Sequence, residues 1–367
     1  MESKYDTRCL NSLKFFAACI VAFVWHYQHF SPANGSPFDF IFKWSYPFGW
    51  LMVELFFMLS GMGMFWGYYE CIHCHKMEFS EYIYKRLIKI YPLFILTLGL
   101  VIIFEFWHKI QIGDTFVYSN FDLWHLLLNI FLCQDGILCI DWSFNAPSWC
   151  ISVCFLLYII FYLVVYFSRN RRMVTCFFCC LGILGAYIIT AEWNYPVLLN
   201  SLVGRGILCF SIGVMIANIY QSINSKEAKI LGCFSLLCLV ILYVMYIIWG
   251  DISGNMHLFF IFIVSPLIIN TFVFVPCVNK FFSLRPFVYL GSLSMEIYLF
   301  HFIVQCAIRD VDIFLSLGID YSRCRIWIMY VVITLVISII YKQFFINICT
   351  KTFGIVYKKI INIKISS

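Results

Sequence analysis

Three ionisable side chains stand inside long apolar runs of this 367-residue chain. Glu54 lies in WLMVELFFMLSG, His26 in FVWHYQHF and His301 in SMEIYLFHFIVQ. An ionisable group within a membrane span costs roughly 2.5 to 3.5 kcal/mol on insertion scales, so it normally faces a polar cavity or a partner. An imidazole beside a carboxylate is suited to general-base chemistry on a hydroxyl, because the carboxylate orients the ring and stabilises its charge. The three residues are therefore the candidate reactive group.

The composition indicates what must position them. Apolar residues make up 63% of the chain and charged residues 12%, outside the usual range of a soluble domain. We predict an all-α integral membrane protein, one domain over residues 1–367 with no appended soluble domain. Apolar runs of about 20 residues predict ten spans, near residues 12–31, 48–68, 86–106, 147–167, 173–190, 201–219, 229–249, 256–276, 288–308 and 325–347. The shorter run 121–133 predicts an interfacial or re-entrant helix.

The lysines and arginines assign the two sides of the membrane. Nineteen of the 25 fall on the side of the two termini, and the other side holds most of the loop acids, such as Asp135, Asp251 and Asp310. Because cytoplasmic loops carry the excess of basic residues, both termini are predicted to be cytoplasmic. The net charge of +6 is then a topology signal, and we expect no nucleic-acid partner.

The 18 cysteines do not predict a metal site. Most are dispersed singly through the spans, where cysteine acts as a small apolar residue. The run CIHCH, residues 71–75, matches the C-x-x-C-H spacing of haem attachment. It falls in a predicted cytoplasmic loop, the wrong compartment for that attachment, so we expect neither haem nor another metal.

The three ionisable residues have similar predicted depths. At 1.5 Å per residue, His26, Glu54 and His301 lie about 7, 9 and 10 Å from the outer ends of their spans. They therefore fall in one layer near the external face, which is consistent with convergence. His29 shares a helix face with His26, where it would either help to bind a metal or belong to the membrane interface with Tyr27 and Trp25.

Other polar residues mark the two ends of the spans. Arg86 and Lys89, three apart in YKRLIKIYP, are either a positive-inside anchor or a clamp for phosphate groups. On the outer side, SFNAPSWC begins a helix with Asn145 as the predicted cap and Pro147 in its first turn. The outer loop also carries Trp107, Trp124 and Trp142, which suit either sugar rings or the membrane interface.

Taken together, these segments resemble the membrane acyltransferase 3 family, bacterial O-acyltransferases that modify exopolysaccharides, O-antigens, Nod factors and macrolides. The resemblance covers nearly the whole chain and rests on five elements in order. They are LKFFAACIVAFVWHYQHF with a basic residue before its histidine, VELFFMLSG, the R-x-x-K-x-x-P pattern in RLIKIYP, NAPSW, and LGSLSMEIYLFH.

The resemblance implies a ten-span bundle that binds acyl-CoA from the cytoplasm and the acceptor from outside. It implies that His26 is the catalytic base or a transient acyl carrier and that Glu54 is its supporting carboxylate. Arg86 and Lys89 would face the phosphates of CoA. The remaining implied pocket residues are His301, Arg205, Trp149 and Ser152. Glu296, a further carboxylate in the span of His301, is also expected in the pocket.

The chain departs from the family pattern at three positions. Eleven residues separate Lys14 from His26 where the family has ten, which on a regular helix turns Lys14 about 100° away. Cys154 stands where the family commonly has Glu. Lys89 replaces the second Arg of R-x-x-R, which keeps the charge but loses the bidentate fork.

We therefore expect an O-acyltransferase, most simply an acetyltransferase, of the bacterial inner membrane. It would use acyl-CoA as donor substrate, need no other cofactor, contact membrane lipids, and acylate a cell-surface or lipid-linked saccharide. The alternative is a transporter or flippase whose buried charges line a permeation path. The two halves of the chain show no internal repeat, a feature of many transporters.

Overall fold

The computed structural model describes residues 4–195, 197–249 and 256–345. In this part of the chain, nine helices are long and apolar enough to cross a membrane, and a pair bent by 53° supplies a tenth. The same residues contain no β-strand. The predicted all-α bundle of about ten spans is confirmed. Lys351, Lys358, Lys359, Lys364 and the predicted outer loop at Asp251 lie outside the described residues.

The helices are numbered in chain order. They are α1 Cys9–Phe30, α2 Ser45–His73, α3 Phe79–Ile112, α4 Leu123–Ile130, α5 Ala146–Phe167, α6 Arg171–Thr190, α7 Ser201–Ser222, α8 Ser225–Tyr246, α9 Met256–Phe274, α10 Pro276–Phe282, α11 Arg285–Ser292, α12 Ser294–Phe314 and α13 Cys324–Phe345. The bent pair is α11 and α12. The eight-residue α4 falls within the short run 121–133 and is too short to span.

Helix α1 changes its winding just before His26. It is α-helical over Cys9–Cys19, π-helical over Ile20–Trp25 and a 3-10 helix over His26–Phe30. A π-helical turn holds about one residue more than an α-helical turn and occurs often at functional sites. It therefore absorbs the extra residue between Lys14 and His26. Lys14 comes close enough to Lys89 for their charges to repel each other.

Helices α2 and α7 are in backbone contact. A Cβ atom on Gly61 would overlap the carbonyl of Phe210, and one on Gly213 would overlap the carbonyl of Met58. The two helices are therefore closely packed at these glycines. It brings Glu54 of α2 opposite Arg205 of α7.

Contacts between loops agree with the predicted sides. On the predicted cytoplasmic side, Lys4 and Tyr5 both donate to the carbonyl of Ile223, and Asn279 donates to that of Asp6. On the predicted outer side, Tyr27 donates to the carbonyl of Tyr321. Segments assigned to one side by their charges thus touch one another in the folded chain.

Candidate active site

His26 sits between two other imidazoles. Its Nδ1 lies 2.7 Å from Nε2 of His301, and the two rings are parallel to within 3°. On its other side, the ring of His29 stacks with centroids 5.1 Å apart. The predicted convergence of His26 and His301 is therefore present, although they are 275 residues apart in the chain.

The hydrogen bonds fix where the protons lie when both rings are neutral. Nδ1 of His301 is 2.6 Å from the carbonyl oxygen of Tyr298 and must donate to it, since a carbonyl only accepts. Nε2 of His301 then carries no proton, and it accepts a hydrogen bond from the Nδ1–H group of His26. This leaves Nε2 of His26 with a free lone pair, the form in which an imidazole acts as a general base.

Glu54 has different partners from those expected. Its carboxylate is fully buried and accepts from Nε of Arg205 at 2.6 Å, from Nε2 of His257 at 2.9 Å and from the thiol of Cys209 at 3.3 Å. In the described part of the chain no hydrogen bond joins Glu54 to His26. The reason is the backbone contact of α2 with α7, which turns the carboxylate toward α7; the imidazole partner of His26 is His301.

Arg205 is held by charge and by two indole rings. The ring centres of Trp50 and Trp149 each lie 4.9 Å from its Cζ atom. Asn200 caps the start of α7 by accepting from the backbone N–H of Val203, which orients the first turns of this helix. Cation–π contacts together with a buried carboxylate leave the guanidinium little freedom.

A cavity of about 450 Å³ connects these groups, within the volume range of small-molecule sites. His26, His29 and Arg205 line it. The rest of its wall is aromatic or small and consists of Trp25, Trp50, Tyr118, Trp142, Trp149, Tyr298, Val21, Val53, Ala146 and Pro147. Of the outer-loop tryptophans proposed as sugar contacts, Trp142 is at this cavity, whereas Trp107 packs on Phe314.

The NAPSW element forms part of the wall in a manner the sequence did not predict. Pro147 lies in the first turn as expected, but Asn145 makes no capping bond, and its amide donates to the carbonyl of Leu299 at 3.4 Å. Tyr298 donates to the carbonyl of Pro147 at 2.5 Å, tying α12 to the start of α5. Ser152 is buried one turn deeper and has no hydrogen-bond partner among the described residues.

Glu296 lies away from the cavity. It is five residues before His301, about 7.5 Å along α12 toward the predicted cytoplasmic side. There it accepts from Nζ of Lys342 at 3.0 Å. Glu296 is therefore not among the residues that line the cavity, in contrast to the expectation.

The predicted cytoplasmic side carries a group of cations. Arg86 donates to the hydroxyl of Tyr68 and lies over its ring at 4.4 Å. Lys89, one turn further along α3, is solvent-exposed and lies near Lys14 and Arg86. Arg86 and Lys89 lie near the start of α3, at its predicted cytoplasmic end, whereas His26 lies near the predicted outer end of α1.

The cysteine-rich segment forms no centre of its own. Cys71 and Cys74 are free thiols, and the ring of His75 packs edge-on against Tyr166. Across residues 4–195, 197–249 and 256–345, no three His, Cys, Asp or Glu side chains are close enough together to hold a metal ion.

His257 and the orienting role of Tyr298 were missed by the sequence analysis. His257 opens the apolar run of α9, so the argument that singled out His26 and His301 would have flagged it too. The carbonyl of Tyr298 carries no signal, because every residue has one.

The fold and the site define a multi-helix membrane protein with a pair of histidines at an aromatic cavity. A family model described as an acyltransferase domain matches residues 7–342, and the chain belongs to this family, acyltransferase 3. It is thus a multi-pass membrane protein and an acyl-transferring enzyme.

A curated relative agrees with this assignment. The protein named "Putative acetyltransferase ORF330" of the Acidianus two-tailed virus is 23% identical over 329 residues, which are 88% of this chain and 90% of the relative. No solved structure gives a significant match.

Proposed function

We propose that the protein transfers an acyl group, most simply acetyl, from cytoplasmic acyl-CoA to a hydroxyl of a saccharide outside the bacterial inner membrane. The saccharide is either at the cell surface or lipid-linked. The observation that carries the proposal is the chain of hydrogen bonds from Tyr298 through His301 to His26, which leaves Nε2 of His26 as a base at the cavity.

The cavity supports a saccharide acceptor. Four indole rings and two phenol rings surround the base, and aromatic faces next to hydrogen-bonding groups suit the apolar faces and hydroxyls of a sugar ring. His26 would take the hydroxyl proton as the oxygen attacks the acyl carbon. The alternative of a transporter is disfavoured by membership of the acyltransferase family.

The cations of the opposite side support a CoA donor. Arg86, Lys89 and Lys14 offer positive charge to the phosphates of CoA, and charge-assisted bonds to phosphate are among the strong hydrogen bonds of proteins. Lys89 is solvent-exposed and therefore accessible to a ligand.

Mass spectrometry of surface glycans tests the proposal. Glycans from a strain lacking the gene should lose mass increments of an acyl group, and a His26→Ala complement should not restore them. His125→Ala is the matched control, because this outer histidine pairs with Asp122 and does not line the cavity. Unchanged glycans in every strain, together with no CoA binding by the purified protein, would contradict the proposal.

A further inference from the structure

Arg205 has hydrogen-bonding capacity that the protein leaves unused. Its Nε donates to Glu54, and across the described residues no group accepts from its two Nη nitrogens. These nitrogens are not among the buried atoms without a hydrogen-bond partner, and Arg205 lines the same cavity as His26. The guanidinium therefore presents up to four N–H donors to whatever occupies the cavity.

The surroundings of Arg205 hold these donors in place. Glu54 is completely buried and is bound by three side chains, of which Arg205 is the closest and His257 the next. Two indole rings pack on the guanidinium. Burying a carboxylate is expensive unless it is paired, so a Glu54 that served packing alone would be a poor choice. Its placement makes sense if it fixes the direction of the guanidinium.

We propose that Arg205 is a catalytic residue that stabilises the oxyanion formed during acyl transfer, and that Glu54 and His257 are positioning residues acting through it. This inference rests on the proposed acyl transfer from a CoA thioester. Preorganised donors aimed at a developing oxyanion are usually the largest single contribution to such catalysis.

The step is as follows. Nε2 of His26 removes the proton of the acceptor hydroxyl while its oxygen forms a bond to the thioester carbon, and the carbonyl electron pair moves onto oxygen. The Nη groups of Arg205 donate to that oxyanion. When the carbonyl reforms, the carbon–sulfur bond breaks, and the CoA thiolate takes the proton from His26 and leaves as the thiol. A route through an acylated His26 would pass through the same kind of oxyanion.

The test measures release of CoA from acetyl-CoA by the purified protein in lipid nanodiscs, with water as the acceptor and chromatographic detection of CoA. For Arg205→Gln we expect kcat to fall about 100- to 1,000-fold, the usual loss for one oxyanion donor, with KM for acetyl-CoA within about threefold of wild type. Arg323→Gln is the matched control, since this exposed outer arginine pairs with Asp320 and does not line the cavity.

Chemical rescue separates catalysis from folding. Guanidinium at a few tens of millimolar should raise kcat of Arg205→Ala at least about tenfold, whereas urea, which has the same shape and no charge, should not. His26→Ala should respond to neither. Rescue by urea equal to that by guanidinium, or an Arg205→Gln variant with kcat near wild type, would overturn the inference and leave the proposed function standing. A wild-type protein that releases no CoA would count against the proposed function itself.

Discussion

At the scale of single residues, the candidate site contains a pair of histidines in which His301 fixes the tautomer of His26. The imidazole of His301 takes the place of the carboxylate expected beside His26. The arrangement holds the ring of His26 and leaves its base atom free, without placing a negative charge beside it. Glu54, the buried carboxylate, serves the arginine instead.

The histidine pair predicts unequal, non-additive losses. His26→Ala should lower kcat about 100- to 10,000-fold, the usual contribution of a general base. His301→Ala should lower it less, about 10- to 100-fold, because the base remains but is no longer held in one tautomer. The double variant should be no slower than His26→Ala, since His301 acts through His26. Steady-state CoA release measures all three, and a double variant much slower than His26→Ala would show that His301 has a separate role.

Glu54→Gln distinguishes a carboxylate that serves Arg205 from one that serves His26. We expect kcat to fall about 10- to 100-fold through loss of one charged hydrogen bond, while the pH at half-maximal rate stays as in wild type. Glu70→Gln, on the same helix but paired with Arg171, is the control. A shifted pH profile in the Glu54 variant would mean that its charge acts on the base after all.

Asp135 gives a prediction outside the membrane spans. Burial, and next the charge of Asp141, raise the pKa of its carboxyl to about 8. Between about pH 4 and 8 the folded protein keeps a proton that the unfolded chain has lost, so stability is greatest at the acid end and falls as the pH rises. The apparent Tm of wild type should drop by several degrees from pH 5 to 9 relative to Asp135→Asn in the same detergent. Parallel curves would contradict the raised pKa.

At the scale of elements, sequence patterns predicted the position and depth of residues within each helix better than the contacts between neighbouring helices. Apolar length located the spans, and depth correctly brought His26 and His301 into one layer. Periodicity does not choose between neighbouring helices, so the partner of Glu54 followed only from the glycine contact of α2 with α7. The π-helical turn in α1 could not be predicted either, because the composition of Ile20–Trp25 does not differ from that of an α-helical segment.

The contact of α2 with α7 predicts a position-specific penalty. Gly213→Ala places a methyl group on the carbonyl of Met58 and should cost about 1–3 kcal/mol of stability, with loss of activity as Arg205 moves from Glu54. Gly63→Ala is the control, because a Cβ there meets open space, and it should be neutral or slightly stabilising. Thermal unfolding and CoA release report both effects, and equal behaviour of the two variants would refute the argument.

At the scale of the whole molecule, the bundle has a cationic side and an aromatic side. Lys14 and His26 stand on one helix twelve residues apart, about 18 Å at 1.5 Å per residue. Under the proposed function, the acyl end of a donor bound at these cations must cover this distance inside the protein to reach His26. Binding of the donor and reaction of its acyl group are therefore expected to respond to different mutations.

This separation predicts that substitutions of the cations change KM and not kcat, the reverse of the result expected for Arg205→Gln. Arg86→Gln and Lys89→Gln should each raise KM for acetyl-CoA about tenfold, equivalent to about 1.4 kcal/mol, with little change in kcat. Lys85→Gln is the control on the same helix, since Lys85 pairs with Glu81. A fall in kcat at constant KM would place these cations in the chemical step.

The hydrogen bond between His26 and His301 joins α1 to α12, although the two residues are 275 positions apart in the chain. Most of the chain must therefore be synthesised and inserted into the membrane before His26 can form its hydrogen bond with His301. During biosynthesis the first helix carries a histidine that is not yet set for reaction. Incompletely inserted or truncated chains would then transfer acyl groups far more slowly than the complete enzyme, so assembly itself determines when the enzyme becomes fully active.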